Sequence, residues 1–446
     1  MNSDNQSPPV GSGIALWMST IAMGVCFAVW TIYSIFGVEM QRELGISDAA
    51  FGILVATPIL TGSLSRLALG IWAEMFGGRL VYTLLMLVVA ASAFILPYAS
   101  SYAEILAIGL GLGLAGGSFS VGVAYVSAWF PRSRQGSALG LFGMGNAGAA
   151  VTSLAAPLLL TAMTWREAAN VYGVLMLGMA VLFYLITRDD PVTRARREGG
   201  GDVTSLAERL APLRYFQVWR FCIYYFFMFG GFIALTSWLP RYYTGEYGMD
   251  LRLAGVLTAS FAALAALLRG VGGTLADRYG ARTMMYVAFG LSLVCLFLLS
   301  YPDTQYIVGG INGPIEFTIA PGPYQRAAVL AVLAFALATG MAAVFKHIPT
   351  YYPSHVGAVG GLVGTIGGVG GFFLPVAFGF MNDILHIWTS CFMLLFFIGT
   401  VNLIWMHAAI RRMERRRIPE LFREEFRMLP ELQGEDGYGP GERGNP

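Results

Sequence analysis

Two arginines stand inside stretches otherwise fit for hydrocarbon: Arg66 in TGSLSRLALG (61–70) and Arg269 in ALLRGVGGTLADRYGAR (266–282). A guanidinium is a flat fork of N–H donors that stays protonated at any working pH. A pair of them would clamp a small planar oxyanion and select it by size and hydrogen bonding. An arginine near mid-membrane costs about 2.5–3.5 kcal/mol on insertion scales, and charges at that depth face a cavity or a partner. Eight residues separate Arg66 from Glu74, and the same eight separate Arg269 from Asp277, which is about 12 Å of helix in each case. No apolar stretch offers Asp or Glu at that depth, since Glu104 and Glu167 fall near outer ends and Asp383 falls in the last interhelical turn. The missing counter-ion is then a substrate anion, the alternative being carbonyls, water or helix dipoles.

The elements that must position these cations follow from composition. The chain has 446 residues, 56% apolar and 12% charged, with mean hydropathy +0.63, too oily for an ordinary soluble domain. Windows long enough to cross about 30 Å of hydrocarbon fall near 14–37, 51–73, 80–98, 103–130, 136–162, 167–187, 216–240, 252–275, 282–301, 324–348, 355–381 and 385–410. The fold expected is therefore an all-α integral membrane protein of twelve transmembrane helices. The first window lacks the basic flank and cleavage site of a signal peptide and is expected to be retained. Arginines concentrate in alternate loops, among them Arg79, Arg132, Arg134, Arg188, Arg278 and Arg282. The positive-inside rule then places both termini in the cytoplasm and the chain in the cytoplasmic (inner) membrane as a multi-pass protein. Residues 188–214 read as a cytoplasmic linker between six-helix halves 1–187 and 215–412, with a polar tail at 413–446. The four cysteines fall in apolar windows without metal-site spacing and are expected to be core packing.

Equal halves prompt a search for repetition. Laying 63–79 over 266–282 at a constant offset of 203 matches Arg66 with Arg269, Glu74 with Asp277 and Arg79 with Arg282. The Gly-x3-[Asp/Glu]-x2-Gly-x-Arg element resembles the cytoplasmic loop motif of the major facilitator superfamily, where it serves turns and charge pairs that latch the halves. The resemblance implies two pseudo-symmetric halves with substrate bound between them near the midplane.

Span 5 contains LGLFGMGNAGAAVTSLAAP (139–157), with Asn146 about 15 Å in from Gly136, at the depth of the arginines. Alone, Asn146 could equally be helix-to-helix glue or a ligand contact. Span 11 contains GAVGGLVGTIGGVGGFFLP (357–375), eight of whose residues are glycine. Glycine is a costly choice in a helix interior. Gly143, Gly145, Gly148, Gly364, Gly367, Gly368, Gly370 and Gly371 are thus expected to allow close helix approach and gating movement. These two segments with the paired arginines resemble the nitrate/nitrite porter (NarK-like) family, and AGGSFSVGVAYVSAWFP in span 4 fits it too. The resemblance implies that Arg66 and Arg269 clamp the anion, that Asn146 contacts it, and that Phe119, Tyr225 and Phe229 form aromatic walls. Plain packing is the alternative for the aromatics. Phe142 departs from the family pattern, standing where a small residue is frequent.

The only lysine, Lys346, and its neighbour His347 are either a basic step on the cytoplasmic exit path or a positive-inside anchor with a snorkelling stem. No HExxH, GxSxG, P-loop or haem-ligating pair appears, so the chain is expected not to be an enzyme and to need no cofactor or metal. The function expected is secondary transport of nitrate and nitrite, most simply as their exchange. Proton-coupled nitrate import, transport of another small monovalent oxyanion and a non-transporting sensor on the same fold are the alternatives. The expected partners are these anions and the lipid bilayer, with no nucleic acid, and the chain is expected to act as a monomer.

Overall fold

Gly45 and Gly248 adopt left-handed conformations (φ 62 and 60°) that end the first helix of each half, a backbone state glycine reaches without steric cost. Ser47 and Asp250 then cap the next helix with their side chains. Those helices, Asp48–Phe76 and Leu251–Tyr279, are each 29 residues long and end at Gly77 and Gly280, again with positive φ (96 and 85°). Each pair differs by 203 in number, so the repeat seen in the loop motif holds residue for residue across a whole span and both its turns.

The computed structural model describes residues 9, 11–130, 138, 139, 141–191, 193, 194, 214–351 and 356–427, without the side chains of Glu74, Asp277, 349–351, 356–358 and 413–427. Among these residues twelve helices are long and apolar enough to cross a membrane. They are span 1, Ser12–Leu44; span 2, Asp48–Ala73; span 3, Gly78–Tyr98; span 4, Tyr102–Ser127; span 5, Gly143–Leu160; and span 6, Trp165–Ile186. After the linker come span 7, Phe216–Tyr247; span 8, Leu251–Ala276; span 9, Ala281–Leu299; span 10, Pro323–Ile348; span 11, Val359–Leu385; and span 12, Ser390–Arg412. The last helix continues to Arg427, so the start of the tail is helical, while its tip and most of the linker lie outside the described residues. By compactness the chain separates into Met1–Gly399, which holds Arg66 and Arg269, and Thr400–Pro446. Residues 304–319, a mere connection by hydropathy, form an antiparallel hairpin, β1 (Thr304–Gly310) and β2 (Gly313–Ile319).

Four spans leave regular α-helical geometry, three within their length and one at its start. Span 1 breaks at Thr31–Ile32, span 4 tightens to a 3₁₀ turn at Leu114–Gly117, span 5 begins as one at Gly143–Ala147, and span 7 widens to a π-turn at Phe226–Gly230. Such departures redirect backbone groups and recur at functional sites.

Glycines set how closely the spans approach. A Cβ on Gly148 would strike the carbonyl of Gly24, and one on Gly145 would come within 2.8 Å of Met23 Cβ, so span 5 lies against span 1. Gly143 has open space at the same point. Phe142 seats its ring in the notch left by Gly122, which accounts for a bulky residue there. All four cysteines are buried and unpaired.

Candidate anion-binding site

Arg66 is 5% exposed. Its Nε donates to the carbonyl of Gly116 at 3.3 Å, in the 3₁₀ turn of span 4, and its Nη1 donates to the carbonyl of Gly364 in span 11 at 2.9 Å. The rings of Trp30, Phe119 and Phe229 lie 5.7, 5.7 and 5.4 Å from its Cζ, all within cation–π range. Arg269 donates to the Tyr225 hydroxyl at 3.1 Å and lies 5.7 Å from the Phe345 ring. Tyr225 stacks on Phe229 at 5.2 Å with the planes 8° apart. One aromatic pair therefore spans from beneath Arg66 to the partner of Arg269, and the two cations are close enough to interact through space. Among the described residues no carboxylate pairs with either guanidinium.

Asn146 sits in the 3₁₀ turn of span 5, which packs on span 1 and on span 8, the helix of Arg269. It is 6% exposed, and its Oδ1 has no hydrogen-bond partner. The bare Oδ1 is an acceptor and would not meet an anion, so an oxyanion could be held only by the Nδ2 donor of the same amide.

The glycine run of span 11 divides its work between two neighbours. Gly364 and Gly368 meet Arg66 and Ser63 of span 2, Gly367 and Gly370 meet Tyr225 and the Phe226–Gly230 turn of span 7, and Gly371 lies between the two, against Ile233 and Ile59. A Cβ on Gly367 would enter the Tyr225 ring, so this glycine is the seat that lets Tyr225 face Arg269.

The span 2–span 11 seam continues outward from the arginines, through Gly52 against the Pro375 carbonyl, to Gly379 against that of Asp48. At this far end, opposite Gly77 and Gly280, Asp383 accepts from the backbone N–H groups of Asp48 and Ala49 at 3.0 and 2.8 Å. Asp48 in turn accepts from Gln41 at 2.8 Å, from Asn382 at 2.5 Å and from Arg241 Nη2 at 2.8 Å. Glu104 and Glu167 close capping boxes there. The carboxylates of this far end thus have local work. Toward the other end, the missing Cβ positions of Gly270, Gly273 and Gly361 meet nothing within 4 Å.

Other expected residues are placed differently. Arg79 donates from Nε and Nη2 to the Tyr184 carbonyl of its own half at 3.2 and 2.6 Å. It therefore caps span 6 of its own half, where a cation meets the negative end of the helix dipole. The side chains of Glu74 and Asp277 lie outside the described residues. His347 stacks on Phe221 at 5.5 Å, with Arg220 and Arg282 near it, and Lys346 is half-buried beside it. Sequence reasoning missed Trp30, Phe345, Ser63 and the Gly116 carbonyl. The signals for them were the Gly116–Gly117 pair and Pro58, whose carbonyl accepts from Trp30 Nε1 at 2.9 Å.

Known proteins give the chain a context. The profile of the Major Facilitator Superfamily matches residues 18–322. A protein of Thermus thermophilus described as a probable nitrate/nitrite antiporter, NarK1, is 40% identical over 89% of this chain and 91% of its own. The nitrite extrusion protein of Bacillus subtilis is 29% identical over 81% of this chain and 86% of its own. Among solved structures, an inward-facing, occupied bacterial homologue of the human lysosomal transporter Spinster superposes with a TM-score of 0.67 at 15% identity. That match covers 91% of this chain and 98% of the other, a likeness of fold.

Proposed function

The chain belongs to the Major Facilitator Superfamily, in its nitrate/nitrite porter branch, and on that premise we propose that it carries nitrate and nitrite across the cytoplasmic membrane as an exchanger working by alternating access. The observation that carries this is the pair Arg66 and Arg269, at equivalent positions of the two repeats, with backbone carbonyls, rings and a hydroxyl around them and no carboxylate partner among the described residues.

Each arginine offers a flat donor fork, and the aromatic rings make the surroundings dry and planar. A flat, singly charged, weakly hydrated anion is favoured over a tetrahedral, multiply charged one, whose desolvation costs more. Asn146 supplies an amide donor, the Tyr225 hydroxyl a further polar contact, and Phe119 and Phe229 the walls. The halves 1–187 and 215–412, joined by 188–214, rock about this site. With both termini cytoplasmic, the Asp48–Asp383 end faces outward and is closed, and Lys346 and His347 line the cytoplasmic exit. The chain does this as a monomer.

Nitrate entering alone opposes an inside-negative potential at roughly 2.3 kcal/mol per charge per 100 mV, whereas exchange for nitrite is electroneutral. The test is radiolabelled nitrate uptake by proteoliposomes. Internal nitrite should stimulate it strongly, and dissipating a pH gradient should leave it unchanged. Accumulation driven by an inward proton gradient alone, with nitrite adding nothing, would replace exchange by proton symport. Competition by chlorate or another small oxyanion at equal potency would broaden the substrate.

A further inference from the structure

The hairpin between spans 9 and 10 presents one apolar face and one mixed face. Cα register pairs Tyr306 with Phe317 and Val308 with Ile315, so strand alternation puts Tyr306, Val308, Ile315, Phe317 and Ile319 on one side. Gln305, Ile307, Glu316 and Thr318 fall on the other. Tyr306 and Phe317 stack at 5.2 Å. Yet the apolar face is uncovered: Ile315 is 58% exposed, Val308 46% and Phe317 45%. A lone two-stranded hairpin is marginal in water, and an apolar patch of this kind marks an interaction surface.

Its base is held firmly. The buried Arg326 donates to the carbonyls of Leu299, Tyr301 and Pro321 at 3.0, 3.2 and 3.3 Å and to the Asp303 carboxylate at 3.3 Å. Tyr247 adds a bond to the Pro321 carbonyl at 2.9 Å. One arginine thus clamps the chain on both sides of the hairpin, so the hairpin has a built position. That position is the rim of the bundle, since β1 begins five residues after span 9 ends at Leu299 and span 10 begins four residues after β2 ends at Ile319. Phe297 and Leu298 of span 9 and Tyr324 of span 10 flank the base and are more than half exposed. They belong to the outer surface of membrane-spanning helices, to which the two strands are joined by short connections. The hairpin carries one charge, Glu316, on the opposite face.

We propose that Thr304–Ile319 lies on the bilayer, its Tyr306–Phe317 face sunk into the boundary between headgroups and acyl chains. Each strand of seven residues reaches about 23 Å, and aromatic and branched side chains settle at this depth, as in aromatic belts and interfacial helices. The absence of basic residues from 304–319 makes the attraction apolar, so neutral lipid suffices and added salt does not release it.

Nitroxides on single cysteines at Ile315 and Phe317, with Gln305 and Glu316 for the opposite face, test this in the full chain in phosphatidylcholine vesicles. The four native cysteines are buried and leave the introduced one to react. Labels at 315 and 317 should meet a water-soluble nickel chelate about tenfold less often than those at 305 and 316, and meet oxygen more often, as an interfacial depth demands. Equal nickel access on both faces would place the hairpin in water and overturn the proposal. Spin–spin broadening at 315 and 317 that vanishes on dilution with unlabelled protein would assign the face to a second copy instead. The unsubstituted chain supplies a check free of folding effects: photoactivatable lipid should label 313–319 by mass spectrometry, and labelling confined to the twelve spans would also sink the idea.

Discussion

Arg66 Nη1 donates to the carbonyl oxygen of Gly364 at 2.9 Å, a bond across 298 residues that ties span 2 to span 11 at the level of the candidate site. The carbonyl is reachable because the next residue on that helix face, Gly368, has no side chain; a Cβ there would strike Ser63 Oγ and lie 3.6 Å from Arg66 Nη1. The glycine run therefore exposes backbone oxygen to a cation and holds the guanidinium in a fixed plane.

Arg66→Lys is expected to abolish nitrate/nitrite exchange. An ammonium keeps the charge but cannot donate at once to Gly116, Gly364 and an anion from one rigid plane. Hydrogen bonds to charged groups are each worth about 1.5–3 kcal/mol, so losing one or two lowers exchange by roughly ten- to ten-thousandfold. Arg269→Lys should behave alike, through Tyr225. Normal exchange by folded Lys variants in proteoliposomes would remove the clamp.

The glycines of span 11 should not be equivalent. Gly364→Ala places a methyl 3.8 Å from its nearest neighbour, Arg66 Nη1, an ordinary contact. It should leave exchange within about twofold and stabilise the helix by roughly 0.5–1 kcal/mol. Gly367→Ala drives a methyl into the Tyr225 ring, which Phe229 and Phe345 hold at 5.2 and 5.0 Å and which cannot withdraw. Most exchange should be lost with the protein still folded, and equal activity of the two variants would contradict this account.

The cations and their spacing were legible because charge in hydrocarbon stands out and because the 203-residue offset fixes equivalent depths. The structure extends that repeat to Gly45 and Gly248 and to Ser47 and Asp250, all visible in the sequence once the register is known. The Gly116 and Gly364 carbonyls were not legible, since a backbone acceptor has no residue type. Trp30 reads as ordinary apolar packing until the Thr31 break and Gly62 turn its ring beneath Arg66. For Arg79 the loop motif specifies a charge but not its partner, and the acceptor it meets is the Tyr184 carbonyl in the same half.

Tyr225→Phe separates the ring from its hydroxyl. The ring keeps its stack on Phe229 and its seat on Gly367, while Arg269 Nη2 loses an acceptor 3.1 Å away. A neutral hydroxyl bond to a charged partner is worth about 1–3 kcal/mol. The half-saturating nitrate concentration should rise about five- to a hundredfold with maximal exchange much less affected. An unchanged value would show that the hydroxyl neither orients Arg269 nor meets the anion.

Asp48 joins the halves at the far end: its carboxylate accepts from Arg241 and Asn382 of the second half, and its backbone N–H is held by Asp383. Arg241 in turn lies 4.6 Å over the Trp388 ring. Asp48→Asn keeps the shape and removes the charge, leaving Arg241 partly buried without its counter-ion. Since a change of about 1.4 kcal/mol is tenfold in an equilibrium, the ratio of closed to open far end should fall about tenfold. Spin labels at Tyr98 and Ile384, both well exposed on opposite halves, read this directly, with a second, longer distance appearing in the variant. Arg241→Gln alone should produce the same distance, and the double variant should add little, because one contact can be lost only once. Identical distance distributions in Asp48→Asn and the unsubstituted protein would mean that the span 2–span 11 glycine seam, and not this carboxylate, holds the far end shut.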